Sequence, residues 1–435
     1  MKVGIPGIGK NGILFIAVFI WSGFPRAEGQ YSHDAHKIIK HLGSSCCHGR
    51  GYAKSGDVRA SRYISDRLRK SGTGAFASGY FQPFILSVNT FPGKMNLRVN
   101  GRLLVPARDY LVDPASPGLF GKFVPVFIRP SDVAKGPDGH LISSMAGGMA
   151  IADSRGMAQL GKNEQQAWKS WIDQQVRSNP YGLKALAEIT EDRLIFGTAT
   201  GLNSIPHFVI RAEALPDSVE SCKAGYRNEY LKDHLTRNVA GYVPGTVCPD
   251  SFVVFTAHYD HLGLMGRKTY FPGANDNASG VAMVLGLARY FSAHPQRFSV
   301  VFLFFAGEEA GLLGSGFFAD HPLVALDRIK FLLNFDLVGT GQDGITVVNA
   351  SEFARAYGSL EEINQSGEFV KTIRKRGKAC ISDHCPFTAK GVPCFYIYTL
   401  GGIAAYHDLD DRPETLPLTA FDGLNNLIIS FVHRL

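Results

Sequence analysis

The stretch VVFTAHYDHLG, residues 253–263, joins an apolar run to a group of polar residues at the point where the run ends. The apolar part has the length of a strand, is rich in β-branched and aromatic residues, and lacks a helical period. VFLFFAGEEAG (301–311) and FLLNFDLVG (331–339) repeat the pattern. Continuous apolar runs of this kind predict strands that are covered by helices on both faces of a sheet.

Segments with helical character follow these runs. SGVAMVLGLARYFSAH spans residues 279–294, and LGSGFFADH spans residues 313–321. The alternation predicts an α/β fold with a mixed, largely parallel central sheet between helices. Ligands of such sheets bind beyond the carboxyl ends of the strands. We therefore expect four residues to meet at one edge of the sheet: His258, Glu308, Glu309 and Asp336.

Two further segments add residues of the same chemical type. GANDNASG (273–280) contains Asp276, and AAYHDLDD (404–411) contains His407. Imidazole and carboxylate ligands without thiolates suit zinc or a similar divalent ion in a catalytic site. Two such ions, about 3.5–4 Å apart in hydrolases, need a shared carboxylate, private ligands and an unshared base. The residues meet this need and predict hydrolysis at a centre of two zinc ions per chain.

Each of these residues taken singly has an ordinary structural interpretation. A histidine after a strand is usually a core or surface residue, and an aspartate in a Gly/Asn-rich loop usually belongs to a turn. The pair Glu308–Glu309 could begin a solvated helix, where acidic residues suit the helix dipole. Their occurrence together, at matched positions along the chain, favours the metal site.

From residue 238 to the C-terminus, the chain resembles the secreted co-catalytic di-zinc aminopeptidases. Their clan also includes glutamate carboxypeptidases and glutaminyl cyclases. The similarity rests on segments in the family's order: HYDHLG, GANDNASG, AGEEAGLLGS, NFDLVG, SDHCPF and YHDLDD. It implies the zinc exopeptidase fold and five metal ligands: Asp276 as the bridge, His258 and Asp336 in one site, and Glu309 and His407 in the other.

Three further residues complete the predicted catalytic group. Glu308 resembles the family's general base, a role worth roughly 10²–10⁴ in rate. Asp260 is placed to accept the second imidazole N–H of His258 and so to fix its tautomer. Tyr406 occupies the place of a family tyrosine that stabilises the oxyanion, with an ordinary packed tyrosine as the alternative. His261 is expected to be structural or supporting, because the ligand set is complete without it.

The segment SDHCPF, residues 382–387, contains the residue types of a Ser/His/Asp triad. Consecutive residues cannot easily aim at one another as a triad requires. We interpret Ser382 as a helix cap, and the resemblance places Asp383 and His384 near the substrate pocket.

The N-terminus has the layout of a signal peptide. Lys2 and Lys10 precede the apolar stretch ILFIAVFIWSGF (13–24), which is short for a membrane span. We predict a signal peptide over residues 1–27 and an exported, periplasmic or extracellular protein without stable membrane insertion, with an uncleaved anchor as the alternative. The seven cysteines fit an oxidising setting. Cys380 and Cys385 are close enough to bridge a loop, although the sequence leaves the connectivity open.

The motifs divide the remaining chain into three parts. Residues 28–114 and 236–435 are predicted to form the peptidase domain, in which 57–72 reads as an amphipathic helix. Residues 115–235 are predicted to be an inserted α+β subdomain, loosely similar to a protease-associated domain. The prediction rests on a helical stretch, AWKSWIDQQVRSN, and on β-like runs: KFVPVFI, GGMAIAD, RLIFGTA and PHFVIRA.

These observations predict an exported metallopeptidase, and best fit an aminopeptidase acting on peptides with a free N-terminus. A carboxypeptidase or dipeptidase of the same clan would share the metal site. A single-zinc cyclase is disfavoured because both metal sites are complete and Tyr406 stands where those cyclases carry Trp. A non-catalytic binding module would show lost ligands. Removal of the predicted signal peptide takes away Lys2, Lys10 and Arg26, so the formal charge of +7 falls to a mild +4 that indicates no particular acidic partner. No nucleic-acid partner is expected, and the sequence leaves the oligomeric state open.

Overall fold

A computed structural model of the chain describes residues 30–77, 79–136 and 139–435. The predicted signal peptide, residues 1–27, lies outside the described residues and stays a prediction. None of the described helices is long and apolar enough to cross a membrane.

The described strands and α-helices are numbered here in chain order. The strands are β1 (Phe81–Thr90), β2 (Leu97–Val99), β3 (Arg102–Leu104), β4 (Tyr110–Val112), β5 (Leu119–Phe123), β6 (Pro125–Ile128), β7 (Met149–Asp153), β8 (Ala185–Thr190), β9 (His207–Arg211), β10 (Cys222–Tyr226), β11 (Glu229–Val243), β12 (Cys248–His258), β13 (Phe298–Phe305), β14 (Ile329–Phe335), β15 (Gly344–Val348), β16 (Ile373–Lys375) and β17 (Cys394–Leu400). The helices are α1 (Gln30–Leu42), α2 (Gly56–Lys70), α3 (Pro130–Lys135), α4 (Gly139–Met145), α5 (Lys162–Ser178), α6 (Gly280–Ala293), α7 (Leu313–Asp320), α8 (Ala354–Gly367), α9 (His384–Ala389) and α10 (Phe421–Arg434).

The largest sheet of the described residues has eight strands in the order β1-β11-β13-β12-β14-β17-β15-β16. Its four middle strands, β13, β12, β14 and β17, run parallel to one another. The pairs β1–β11, β11–β13 and β15–β17 are antiparallel, which makes the sheet mixed, and the edge strand β16 runs parallel to β15. The predicted α/β fold with a mixed, largely parallel central sheet is therefore confirmed.

Both faces of the sheet are buried. Val253 and Phe255 of β12 belong to the core that includes α1, α2, α6, α8 and α10. Val254 points to the opposite core, where it shares a cluster with Phe318 of α7 and Phe387 of α9. Because helices cover both faces, each inner strand can be apolar at every position. The alternation of side chains along β12 therefore explains the unbroken apolar run VVFTA.

Two smaller sheets lie between β1 and β11 in the chain. One has the order β3-β2-β10-β5 and the other the order β4-β9-β8-β7-β6. Strands β6, β7, β8 and β9 run parallel, and Trp168 and Trp171 of α5 belong to an adjoining core. The β2–β3 hairpin, which the sequence places with the peptidase domain, pairs through β2 with β10 of the inserted segment. The smaller sheets thus extend from residue 97 to residue 226.

The prediction of a β-like run at RLIFGTA, residues 193–199, is wrong, because this segment is not a strand. Its backbone makes hydrogen bonds with separate partners instead of a ladder. The N–H of Phe196 donates to the carbonyl oxygen of His407 at 3.0 Å, and the carbonyl oxygen of Ala199 accepts from the N–H of Asn89 at 2.9 Å. An extended apolar segment that bridges two parts of the fold resembles a strand in sequence.

Candidate metal centre

The carboxyl ends of the parallel strands bring the predicted ligands to one edge of the sheet. His258 is the last residue of β12, Asp336 follows β14 directly, and the pair Glu308–Glu309 follows β13 after two residues. Asp276 lies in a turn of π-helix, Ala274–Ser279, that leads into α6. Residues far apart in sequence therefore meet because parallel strands end at the same side of a sheet.

Asp276 lies between two histidines. Its Oδ1 is 3.3 Å from Nε2 of His258, and its Oδ2 is 2.9 Å from Nε2 of His407. Asp336 Oδ1 is 3.4 Å from Nε2 of His258, while Glu309 Oε2 is 3.2 Å from Nε2 of His407. The five predicted ligands thus form two groups that share one carboxylate.

The ligand atoms fit a divalent cation of the zinc type. Nε2 of His258 and Oδ1 of Asp336 are buried and lack a hydrogen-bond partner. His258, Asp276 and Asp336 bring three ligand atoms within 4.8 Å of one another. Buried polar atoms normally have partners. Nitrogen and carboxylate oxygen that converge without one match the ligand preference of zinc.

The electrostatics of the cluster indicate an excess of negative charge. Burial by itself would lower the pKa of His258, but Glu308 and Asp336 outweigh burial and raise this pKa well above its usual range. For His407, burial is likewise outweighed by Asp276 and Glu309, which raise the pKa to about 11. The surrounding carboxylates therefore favour the protonated form of both histidines. Metal cations bound in place of these protons would satisfy the same carboxylates.

Glu308 lies next to ligands of both groups, because one of its carboxylate oxygens is within 4.8 Å of ligand atoms of His258 and Glu309. Burial raises its pKa well above the usual range, and the charges of Glu309 and Asp383 raise it further, while His258 lowers it. Asp383 is fully buried, neither of its carboxylate oxygens has a hydrogen-bond partner, and burial raises its pKa to about 7. A carboxyl group in this environment is suited to take up a proton.

Asp260 accepts the second imidazole N–H of His258, as predicted, and it does so through its backbone carbonyl oxygen. Nδ1 of His258 lies 3.3 Å from the backbone carbonyl oxygen of Asp260 and 3.8 Å from its carboxylate. The carboxylate instead accepts hydrogen bonds from the hydroxyl of Tyr52 at 2.9 Å and from the backbone N–H of Glu308 at 3.2 Å. The turn that carries Asp260 thus positions both His258 and Glu308.

Tyr406 and His261 lie beside His407. The ring of Tyr406 stacks on that of His407 with centroids 3.9 Å apart, and 43% of Tyr406 is exposed. Nδ1 of His261 is 2.7 Å from Oε1 of Glu309. His261 therefore supports a predicted ligand, in agreement with its expected role, while Tyr406 lies on the solvent side of the centre.

Ser382 does not cap a helix, which corrects the sequence interpretation. Helix α9 begins at His384 with Asp383 before it. The hydroxyl of Ser382 donates to Oδ2 of Asp336 at 2.9 Å and accepts from the amide of Asn334 at 2.9 Å. A disulfide joins Cys380 to Cys385 around this turn. Ser382 thus orients a predicted ligand.

Arg50 is a residue that sequence reasoning missed. It is fully buried, and its guanidinium donates five hydrogen bonds to backbone carbonyl oxygens. The acceptors are those of Tyr259 (2.9 Å), Leu42 (3.1 Å), Pro272 (2.7 Å), Gly273 (2.7 Å) and Asp276 (3.0 Å). A single side chain therefore fixes the loop after His258 and the loop that carries Asp276.

The feature of the sequence that points to the role of Arg50 is the pair of glycines on either side of it. Gly49 has φ +65°, and a Cβ there would lie 2.4 Å from the carbonyl oxygen of Gly263. A Cβ on Gly51 would lie 2.5 Å from Cα of Gly263. Only glycine permits this approach of the GRG turn to the HYDHLG loop.

The last motif contributes a second support. Asp411 is fully buried and accepts hydrogen bonds from the backbone N–H groups of Asn275 at 2.7 Å and Asp276 at 2.9 Å. It therefore fixes the backbone of the loop that carries Asp276.

The inserted segment orients His407, because Nδ1–H of His407 donates to the carbonyl oxygen of Phe196 at 3.0 Å. This bond leaves Nε2 of His407 free to face Asp276 and Glu309. Such partners of ligating imidazoles fix their tautomer and orientation.

Comparison with known proteins agrees with the fold. Residues 238–432 match the model of Peptidase family M28, and the motifs that resemble the co-catalytic zinc aminopeptidases all lie within this range. The crystal structure of BSAP, a zinc aminopeptidase from Bacillus subtilis, has a TM-score of 0.67 at 19% identity and covers 93% of this chain and 94% of that chain.

Two curated relatives are similar to part of the chain. A probable zinc metalloprotease of Pyricularia oryzae is 40% identical over 111 residues, which are 25% of this chain and 22% of the relative. Aminopeptidase YwaD of Bacillus subtilis is 29% identical over 195 residues, 43% of this chain and 41% of the relative. The chain thus spans less than half the length of either relative.

Proposed function

We propose that the chain is a metal-dependent exopeptidase, specifically an aminopeptidase with two zinc ions. The observation that carries the proposal is the position of Asp276, whose two oxygens face His258 and His407 at 3.3 and 2.9 Å. A bridging carboxylate needs this geometry. The relatives named zinc metalloprotease and aminopeptidase support the same activity.

The metal ions, when bound, would supply Lewis-acid activation of a water and of the scissile carbonyl. His258 and Asp336 would hold one ion, and Glu309 and His407 the other, with Asp276 between them. Arg50, Asp411 and Ser382 keep these ligands in place through the hydrogen bonds described above.

Glu308 is the proposed general base. It takes a proton from the attacking water and passes it to the leaving amine of the peptide. Its position next to the ligand Glu309, and the bond from its backbone N–H to Asp260 at 3.2 Å, fix the direction in which the side chain leaves the chain. Tyr406, which stacks on His407, is proposed to donate its O–H to the developing negative charge.

The surrounding carboxylates are the reason for proposing a free amine in the substrate. An α-ammonium group needs acidic neighbours at the reacting end of the peptide, and the cluster provides them. A carboxypeptidase would instead need a cationic group beside the metals. The charge of Asp276 acts on the guanidinium of Arg50, but Arg50 is fully buried and its guanidinium is engaged by backbone carbonyl oxygens.

The test is hydrolysis of a peptide series by the full chain, with each free-amine peptide paired with its N-acetylated form. We expect cleavage of the free-amine member only, loss of activity with a strong chelator, and recovery when zinc is added. Equal cleavage of both members would reject the aminopeptidase while leaving the metal centre standing. One tightly bound zinc per chain, together with cyclisation of an N-terminal glutamine, would indicate a cyclase instead.

We also propose that the protein is exported, from the layout of residues 1–27. N-terminal sequencing of the protein secreted by its natural host should begin near residue 28. An intact Met1 on protein recovered from the cytoplasm would reject the proposal.

A further inference from the structure

A second group of metal-type residues lies away from the catalytic edge. His41 belongs to the last turn of α1, and Cys46 and Cys47 are adjacent in the short 3₁₀ segment Ser45–Arg50 that follows. One ligand atom from each of the three residues lies within 4.8 Å of the others. No role in the proposed peptidase reaction uses these residues.

The two thiols point in the same direction. Their sulfur atoms are 3.7 Å apart, and each thiol lies within reach of the carbonyl oxygen of His41, at 3.7 Å for Cys46 and 3.6 Å for Cys47. Two sulfurs bound at about 2.3 Å to one tetrahedral ion lie about 3.8 Å apart. The observed spacing therefore matches two thiolates on a single ion.

The third residue is held in place by packing. The ring of His41 stacks on that of Tyr63 with centroids 4.0 Å apart. Cys46 is exposed and Cys47 is buried, so an ion could reach the pair from solvent on the Cys46 side.

We propose that His41, Cys46 and Cys47 form a binding site for a thiophilic divalent cation of the zinc or cadmium type, separate from the catalytic centre. Binding would release the two thiol protons to solvent and form two metal–thiolate bonds and one metal–imidazole bond, with water free to take the fourth position. Thiolate and imidazole ligands together select such ions over magnesium or calcium.

The location of the site suggests what the ion would do. The 3₁₀ segment begins next to the thiols and ends at Arg50, which braces the loops of His258 and Asp276. The guanidinium of Arg59 donates to the carbonyl oxygen of Cys46 at 3.2 Å and joins the same segment to α2. A bound ion would therefore tie α1 to the segment that positions Arg50.

The test uses cadmium, because sulfur-to-cadmium charge transfer gives an ultraviolet band that nitrogen and oxygen ligands do not produce. The catalytic centre has only nitrogen and oxygen ligands, so the band reports thiolate binding alone. The full chain, treated with a mild phosphine reductant and freed of it, is titrated with Cd²⁺. We expect the band to reach a plateau at one thiolate-bound cadmium per chain.

Two double variants provide the comparison. Cys46→Ser with Cys47→Ser should abolish the band, whereas Cys380→Ser with Cys385→Ser, which removes the other cysteine pair, should retain it. Absence of the band in the wild type, or its persistence in the first variant, overturns the proposal. Far-ultraviolet circular dichroism of each variant verifies that the fold is intact.

His41→Gln tests the third ligand. The band should persist, because the thiolates remain, but the affinity should fall by at least the roughly 10–100-fold that loss of a supporting partner costs at other metal sites. An unchanged affinity would exclude the imidazole from the site. Oxidation of Cys46 and Cys47 to a disulfide that survives the reductant would also overturn the proposal.

Discussion

Two buried histidines in this molecule each lie between two carboxylates. They differ in whether other hydrogen-bond donors and cations of the protein also satisfy those carboxylates. His258 at the edge of the large sheet lies 3.3 and 3.4 Å from Asp276 and Asp336. His207 in the inserted segment lies 3.6 and 4.0 Å from Glu188 and Asp113. The arrangements look alike as a histidine with two acids.

The acids beside His207 are largely satisfied by other donors. Oδ1 of Asp113 accepts from the amide of Asn203 at 3.0 Å and from the N–H of Ala115 at 2.9 Å. Glu188 accepts from the hydroxyl of Ser154 at 2.8 Å. Lys169 and Arg177 line the same pocket, which has a volume of about 280 Å³. With His207 protonated, this pocket has three cationic side chains, the other two being Lys169 and Arg177, and they equal in number its three carboxylates: Asp113, Asp173 and Glu188.

The acids beside His258 have no such balance. Oδ1 of Asp336 has no hydrogen-bond partner, and further carboxylates crowd the same space: Glu308, Glu309, Asp260 and Asp383. The difference shows that a buried histidine between two acids does not itself indicate a metal. A metal site is indicated when the buried carboxylates outnumber the protein's own groups that could satisfy them, because buried charge requires compensation.

The largest expected effect separates ligand from base within the acid-rich site. Glu308→Gln removes a carboxylate that is proposed to move protons and not to hold metal. We expect kcat to fall by roughly 10²–10⁴ while zinc content, measured by elemental analysis, stays unchanged. Glu352→Gln, at an exposed position, is the matched control. Loss of zinc together with activity would mean that Glu308 is a metal ligand and not a separate base.

A second prediction concerns the protein's own cation at this site. Arg50 donates to carbonyl oxygens and not to carboxylates, so we infer that it positions the loops rather than neutralises the acids. Arg50→Lys keeps the charge but leaves buried carbonyl oxygens unpaired, at about 1–3 kcal/mol for each unsatisfied group. We expect a loss of about 2–4 kcal/mol in the free energy of unfolding and a fall in kcat of up to roughly 10²-fold.

Urea unfolding and steady-state kinetics check this prediction. Arg289→Lys, at a partly exposed ion pair with Asp34, is the control and should change neither quantity appreciably. Full activity and stability in Arg50→Lys would mean that the positive charge alone matters.

The behaviour of Arg50 marks the boundary of what the sequence could predict. The strand ends, and hence the meeting of His258, Asp276, Glu309 and Asp336, follow from apolar runs and from the geometry of parallel strands. The partners that orient them do not, because a bond from a side chain to a distant backbone carbonyl leaves no pattern in the residue types.

Ser382 illustrates the same limit. A serine before a short helix predicts a cap, but its hydroxyl bonds Asp336, which is distant in sequence. Phe196 holds His407 through a backbone oxygen, and any residue type could supply that oxygen. Residue types reveal ligands more readily than they reveal supports.

A third prediction tests whether a hydrogen bond to a carboxylate ligand strengthens the affinity of the site for zinc. Ser382→Ala removes the donor to Oδ2 of Asp336 and leaves the ligand atoms unchanged. We expect zinc affinity, measured by competition with a chelating dye, to weaken roughly 10–100-fold. Ser366→Ala, on the exposed side of α8, is the control. Unchanged affinity would show that the orientation of Asp336 is fixed by the backbone alone.

The smallest effect is expected at His207, and it concerns stability without activity. Burial would lower the pKa of His207, but the ion pairs with Asp113 and Glu188 outweigh burial and raise the pKa to about 9. An unfolded histidine titrates near 6.5. Because the folded value is the higher one, the stabilisation is fully present below about pH 6.5 and is lost as the pH rises through about 9.

His207→Gln should therefore lower the free energy of unfolding by on the order of 1–3 kcal/mol near pH 6 and by much less near pH 10. Trp168 and Trp171 lie on α5 beside this pocket, so tryptophan fluorescence in urea reports on the region directly. Peptidase activity should stay at the wild-type level. A difference independent of pH would mean that His207 acts by packing, and a lower zinc content in His207→Gln than in the wild type would mean that this site also holds a metal. Either result would remove the contrast between the two histidines, because ion pairs within the protein would then not explain the role of His207.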